Sequence, residues 1–523
     1  MQNRLFSFLI IISMTARIGS LYAQPDSTVK GYLAAIKVQD WELAESYWVK
    51  SEIERSRRLG IKFENIEAKY DCASPLITNP HILNDPGYKL NFATESLDSI
   101  STRIDIAIVG LRGDTLRTSY YLSRESDRRQ LCSPMYIFTD NWYMIKTRYF
   151  NLTFTDSSLI NNVAIDALDN FTDSLGQILS IPLQKMALLE ERKIDYYLCT
   201  GQQVQLLTGY DAHGVTSFPF DAIIARHLPH PHEITHLMTN FALQELPLFT
   251  LPVLQEGIAC CLGGRWGKSP EAINYWGSVA LSLGLARLDD ILTGKGWGAC
   301  AGGADAAYAI SSLLARTLIN RYGAEKFLQV YHALSGNSMQ VNAFSQRTIR
   351  MTIENICGES WAELASAFAY EAANYRYCGI TPEPQMINEE HLAELNDGEV
   401  SVKIFDVGDS YYFEITLNDL PTGAAILFEA DSLNTNPNYR SWQFEEQFDD
   451  GSYKGEVYGL LFSPAEAGLY DYLTNCLIAK YVSGFVPDES YYDPGSHKLT
   501  FSLDKSMLPK DISHYGLRLV NLN

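Results

Sequence analysis

Residues 226–240 read Arg-His-Leu-Pro-His-Pro-His-Glu-Ile-Thr-His-Leu-Met-Thr-Asn, and they hold four of the chain's ten histidines: His227, His230, His232 and His236. The core of the stretch is His232-Glu233-Ile234-Thr235-His236, an H-E-x-x-H. On an α-helix, positions i and i+4 lie on one face about a turn apart, so both imidazoles can reach one metal ion. Glu233, directly after the first histidine, then projects near the open coordination position. There it can take a proton from an attacking water and pass it to a leaving amine. Pro229 and Pro231, just upstream, suit the start of such a helix. His227 and His230 on the incoming loop could approach the site, but such positions are more often solvent-facing polar residues; His213, further upstream, is left unassigned.

A pentapeptide of this kind is short, and its bland reading is two surface histidines on a polar helix. A catalytic zinc site takes three protein ligands and keeps one position open, and two His with one Glu is a known set. Glu256 stands twenty residues past His236, in "LPVLQEGIACCLGG" (251–264). Pro252 starts a helix that is apolar around one Glu and one Gly, and a carboxylate buried there must be paired or metal-bound.

H-E-x-x-H followed by a Glu at this spacing, in an "L-x-E-G-x-A" helix, resembles the gluzincin metallopeptidases, the thermolysin-like group and its peptidase MA relatives. The resemblance covers residues 148 to about 380. It includes "KIDYYLC" (193–199), like the strand before the active-site helix, and "AAYAISSLLARTLINRYGAEKFLQVY" (306–331), like a later helix of the aminopeptidase-type members. The resemblance implies that His232, His236 and Glu256 bind one zinc ion and that Glu233 is the base. It implies that the Tyr308 hydroxyl stabilises the oxyanion, with Tyr275 as the second candidate. Tyr308 also has the simpler reading of a packed helical residue, beside Leu313 and Leu314. Three departures stand out. Ser311 replaces the family's Gly three residues after the Tyr. Cys260 replaces an acid four residues past the Glu ligand; at i+4 from Glu256 it faces the metal side, as a small buried hydrophobe. The aminopeptidase "G-x-M-E-N" segment has no equivalent in "YDAHGVTSFPFDAII" (210–224), which disfavours an aminopeptidase.

Around this centre the chain is long, 523 residues, enough for two to four domains. With 46% hydrophobic residues it buries real cores, so wholesale disorder is excluded. Met1 to Ala23 combine a basic start, an apolar run from Leu5 to Met14 and a small residue before Gln24, the pattern of a secretory signal. The formal charge of −21 becomes −23 without Arg4 and Arg17, and such an acidic chain is no phosphate-backbone binder. No later apolar run approaches the roughly 18–20 residues of a spanning helix, so no integral membrane domain is expected. Nine cysteines are an odd number, so at least one has no intramolecular disulfide partner.

The fold class read from these patterns is a multidomain α+β chain. Residues 24–147 are a small α+β domain: helical spacing over Val29–Arg58, then strands at Arg103–Val109, Thr118–Leu122 and Trp142–Thr147. It faintly resembles an NTF2-like cone. Residues 148–385 are the gluzincin-type catalytic domain, a small sheet plus a mainly helical lobe. Its strands are expected at 149–154, 193–198 and 221–225. Helices are expected at about 157–179, 231–244, 252–263, 270–284, 303–322, 324–335, 339–353 and 360–375, with C-caps at Gly323 and Gly336. Residues 398–523 switch to period two, with strands near 400–405, 411–417, 424–430, 456–462 and 498–503, which suggest a β-sandwich. "EADSLNTNPN" (429–438) there offers several oxygen ligands in one turn, a candidate calcium loop whose spacing matches no EF-hand.

The function expected is an exported zinc metallopeptidase that hydrolyses peptide bonds of a peptide or protein substrate with a zinc-activated water. The alternative is a catalytically inactive gluzincin-fold binding or scaffolding protein; a zinc hydrolase of a non-peptide amide is a third reading. Cleavage preference and oligomeric state stay open at this point.

Overall fold

The computed structural model describes residues 25–375 except 112, 114, 126–127, 156–159, 161, 227, 266–269, 283–285 and 302, and beyond 389 the strands of two further sheets. The expected signal, His227 and all but the first two residues of the calcium-loop candidate lie outside the described residues. The chain divides into two compact units: Met1–Asn141 with Phe218–Phe220, and Trp142–Ser217 with Asp221–Asn523. No helix among the described residues is long and apolar enough to cross a membrane.

In the first unit, helix α1 (Pro25–Lys37) precedes an antiparallel meander, β1 (Tyr88–Ser96), β2 (Ser101–Gly110), β3 (Thr115–Glu125) and β4 (Arg128–Cys132), paired in that order. Strand β2 buries Ile104, Ile106 and Ile108 on one face, and α1 buries Val29, Tyr32, Leu33 and Ile36. A polar knot sits inside: both Tyr32 Oη (2.8 Å) and Tyr120 Oη (2.9 Å) donate to Asp71 Oδ2. Burial pushes the Asp71 carboxyl up to about 7, against the opposing pull of the two phenols. Strand β1 is not among the expected strands; it carries no fully buried residue, so its alternation is faint. The strand expected to close this meander belongs to the second unit instead.

That strand is β5 (Tyr143–Lys146), which pairs antiparallel with β6 (Phe150–Phe154). The sheet continues through β7 (Ile194–Leu198), β8 (Gly214–Ser217) and β9 (Ala222–Ala225) in the spatial order β5-β6-β7-β9-β8. The three inner strands β6, β7 and β9 run parallel, and β8 lies antiparallel on the edge. Every residue of β7 and β9 is buried, the condition of parallel strands covered on both faces. The helix entering between β6 and β7, Asn162–Ile178, is tied to the sheet by Asp169, which accepts from Thr147 Oγ1 (2.8 Å) and from the backbone N–H of Arg148 (2.9 Å) and Tyr149 (3.1 Å).

Past β9 the chain is mainly helical: α2 (Pro231–Leu243), α3 (Pro252–Gly263), α4 (Pro270–Ser282) and α5 (Gly303–Ala333). Proline opens each of the first three, where its missing N–H costs nothing. Helix α5 breaks at Gly323 (φ 84°), the boundary expected from the sequence. Gly336 instead lies in a two-residue strand paired with Phe249–Thr250. The helix expected over 339–353 is two, Ser338–Ala343 and Gln346–Cys357, because Ser345 Oγ accepts from Thr348 N (3.1 Å) and starts a new helix. The close crossing of α3 and α5 rests on Gly257: a Cβ there would stand 2.6 Å from the Ser311 carbonyl oxygen.

Two five-stranded sheets follow. One has the order Glu390–Asn396, Val400–Val407, Ser410–Leu417, Lys498–Asp504, Tyr492–Asp493; the other Cys476–Tyr481, Ala467–Asp471, Val457–Phe462, Ala424–Ala430, Tyr515–Asn521.

Gly257→Ala therefore forces α3 and α5 apart, and we expect a loss of about 1–3 kcal/mol, read as a lower urea midpoint by circular dichroism. The Asp71 knot makes stability fall as pH rises. The folded carboxyl holds its proton up to about 7, whereas in the unfolded chain it is lost near 3.9, so the unfolded state gains from ionisation across that window. The stability difference between the wild type and Asp71→Asn should change by at most about 1.4 kcal/mol per pH unit there, measured by urea denaturation at pH 5, 6 and 7. A parallel pH dependence in both proteins would contradict this.

Candidate active site

Helix α2 starts within a few residues of the C-terminal end of β9, so the sheet's end aims its first turn. One turn separates His232 and His236, and their Nε2 atoms face each other at 3.2 Å. Glu256, from α3, completes a triangle: its Oε2 lies 3.4 Å from His232 Nε2 and 3.5 Å from His236 Nε2. A tetrahedral zinc with bonds near 2.0–2.1 Å separates its ligand atoms by about 3.3 Å, so these donors have the spacing such an ion requires. Among the described residues, these three form the cluster of His, Cys, Asp and Glu side chains able to hold a metal.

The donor chemistry fits as well as the spacing. His232 Nδ1 donates to the Gly264 carbonyl at 2.9 Å, which fixes its tautomer and leaves Nε2 a lone pair for the ion. Gly264 caps α3 with φ 69°, a conformation that turns its carbonyl back toward α2. Cys260 lies where the sequence placed it, buried, with Sγ 3.9 Å from His232 Nδ1. Burial pushes its thiol well up. The backbone carbonyl, a better acceptor at shorter range, orients the ring in place of the family's acid. Burial alone would raise the Glu256 carboxyl, but His236 and His232 hold it far below the ordinary range, so it is an anionic ligand.

Glu233 is gripped from the edge strand: Thr216 Oγ1, on β8, donates to its Oε2 at 2.7 Å. Burial pushes the carboxyl up, while His230, His236, His232 and Thr216 pull it down and prevail. His230 is half-buried rather than solvent-facing, and burial pushes its imidazole down to about 4. His213, also half-buried, leads into β8, and neither histidine joins the ligand triangle.

Tyr308 reaches the same place from α5. Its ring packs against Cys260, Ile273 and Ala309, and burial with Glu256 nearby pushes its hydroxyl up to about 12. The Tyr275 side chain lies outside the described set. Two neighbours were invisible in the sequence. Arg265 places its guanidinium carbon 3.3 Å from the Tyr308 ring centroid and Nη1 3.4 Å from His232 Nε2. Trp297 meets Tyr308 edge-on at 4.8 Å and donates from Nε1 to Ser311 Oγ at 3.0 Å. Ser311, which stands where the gluzincin pattern has Gly, thus anchors the Trp297 indole. The one available signal for Arg265 was its place directly after the Gly-Gly that ends the ligand helix.

No protein-family model matches this chain, and comparison with curated proteins finds no match either. The geometry stands by itself: a His-Glu-x-x-His pair and a downstream Glu on adjacent helices, positioned like the gluzincin site. Intact ligands with an anchored Glu233 favour the active reading over the inactive one.

Purified protein should bind zinc at about one equivalent, and His236→Ala should lose it by elemental analysis. Cys260→Ala should leave zinc affinity within a few-fold, against the ~10–100-fold loss typical when a ligand's supporting partner is removed. A larger loss in a competition assay would reassign the support from Gly264 to the thiol.

Proposed function

We propose that this chain is an exported zinc metallopeptidase in which His232, His236 and Glu256 hold the metal, Glu233 is the general base and Tyr308 donates to the oxyanion. The observation that carries this reading is the ligand triangle with edges of 3.2, 3.4 and 3.5 Å, with Glu233 in the same turn and fixed by Thr216. When bound, zinc supplies a Lewis acid for the scissile carbonyl and lowers the pKa of water. Glu233, ionised and held by one hydroxyl, takes the proton of the attacking water and returns it to the leaving nitrogen. Tyr308, whose phenol keeps its proton well past neutral pH, is a hydrogen-bond donor for negative charge developing on the carbonyl oxygen.

The finer assignments rest on this centre. The sheet with an antiparallel edge strand, followed by a helical lobe, supports a gluzincin-type domain over 148–385. The two five-stranded sheets support a β-sandwich in 398–523, and the α1-plus-meander unit supports a separate N-terminal domain that ends near Asn141 rather than at 147. Residues 1–23 carry the signal pattern that supports export. We assign the flanking domains to substrate or partner placement, on the ground that the site residues all come from the middle region.

Glu233→Gln should retain zinc and lower kcat/KM on a cleaved library peptide by about 100- to 10,000-fold, the range of a general base. Full activity in that variant, or hydrolysis by chelated wild-type protein, would overturn the mechanism.

A further inference from the structure

Arg265 stands beside the ligand triangle with no role in the scheme above. Its Nη1 is 3.4 Å from His232 Nε2 and 3.9 Å from Glu256 Oε2. Its guanidinium lies over the Tyr308 ring at 3.3 Å, and that ring is also held edge-on by Trp297. Trp297 is pinned to Ser311, whose hydroxyl in turn donates to the Ala307 carbonyl at 2.6 Å. Arginine, aromatic ring and indole form one braced stack, so the guanidinium is presented in a fixed position rather than on a free stem.

We propose that Arg265 is a catalytic residue that, together with Tyr308, binds the negative charge developing on the carbonyl oxygen of a peptide substrate; this rests on the hydrolase reading above. Charge argues for it first. A divalent ion held by the three ligands would add positive charge next to the guanidinium, and two cations so close favour negative charge placed between them. Glu256 is a ligand and Glu233 is held by Thr216, so an oxygen that turns anionic beside the ligand triangle gains from the guanidinium as well. Access argues second: Glu256 and Arg265 keep 20% and 24% side-chain exposure while His232 and His236 keep 6% and 8%, so the centre opens on the arginine side. Reach argues third. Nη1 abuts the ligand atoms themselves, the place of the reacting carbonyl, whereas a terminal carboxylate lies one or more residues along the chain, at about 3.8 Å per residue.

In the first step, the water oxygen bonds to the carbonyl carbon, the C=O π pair moves onto oxygen and the water's proton goes to Glu233. Arg265 and Tyr308 donate hydrogen bonds to that oxygen and transfer no proton. The C=O bond then re-forms, the C–N bond breaks and the nitrogen takes the proton from Glu233.

The test compares zinc-loaded wild type, Arg265→Gln and Arg265→Lys on a library-identified peptide, with two probes: a phosphinic peptide, which carries a tetrahedral anion, and a peptide thiol, which does not. Loss of one oxyanion donor predicts a fall in kcat of about 100-fold in Arg265→Gln with KM nearly unchanged. Calorimetric affinity for the phosphinic peptide should fall by a similar factor, affinity for the thiol and zinc content should hold, and Arg265→Lys should recover part of the loss. Three results would overturn the assignment: unchanged kcat and phosphinate affinity; a rise in KM confined to peptides with a free C-terminal carboxylate; or loss of zinc and of thermal stability in both variants. Wild-type protein that holds zinc but neither cleaves the library nor binds the phosphinic peptide would instead bring down the hydrolase reading itself, and this inference with it.

Discussion

The helical lobe is organised around three electron-rich atoms brought within 3.5 Å of one another in a largely buried place. Two unprotonated imidazole nitrogens and a carboxylate oxygen all turn lone pairs toward one point, and Glu256 attracts the rings only when they carry a proton; a bound cation makes the convergence of all three favourable. The protein must hold them by other means. The i, i+4 geometry of α2 sets the two histidines, and the crossing of α2 with α3 sets Glu256. That crossing is itself locked by the Gly264 carbonyl on His232 and by Gly263, where a Cβ would stand 2.5 Å from the Pro231 carbonyl oxygen, while Gly257 holds α3 against α5. Each restraint is a packing or hydrogen-bond contact away from the metal position.

The sheet has a matching role for the base. Strand β8 is one of two antiparallel edges that flank three parallel strands, and it runs beside α2 so that Thr216 reaches Glu233. Orientation of the carboxylate is thereby tied to the sheet, while orientation of the ligands is tied to the helices. Both halves meet at the first turn of α2.

What could be read in the sequence was local. His232, Glu233 and His236 declare themselves because a helix turn is a fixed distance, and Glu256 because an ionisable group on an apolar helix demands a partner. Tyr308 was reachable by its helix, though without its bracing. Thr216, Arg265, Trp297 and the Gly264 carbonyl were not, because each acts across a tertiary crossing and a backbone carbonyl has no letter of its own. The same limit misplaced Tyr143–Lys146: alternation announces a strand but does not name the strand it pairs with. Ser345 was legible in principle as a cap, yet the helical spacing on both sides of it concealed the break.

The departures from the gluzincin pattern change the charge of the centre in one direction. An acid four residues past Glu256 is replaced by Cys260, a neutral thiol, and the ring it would have supported leans on a neutral carbonyl instead. Arg265 then adds a positive charge within 4 Å of Glu256. Compared with a site carrying the acid and lacking the arginine, the surroundings of the metal are more positive by two charges. Low dielectric makes such a change count for more than it would in water. A more positive centre binds a neutral ground-state carbonyl little better, but it favours the same oxygen as it becomes anionic, and that difference between ground and transition state is the one that accelerates a reaction. A neutral thiol at 260 and an arginine at 265 thus act on the charge of the centre in the same direction. Ser311, Trp297 and Tyr308 are the scaffold that holds this added charge in one position.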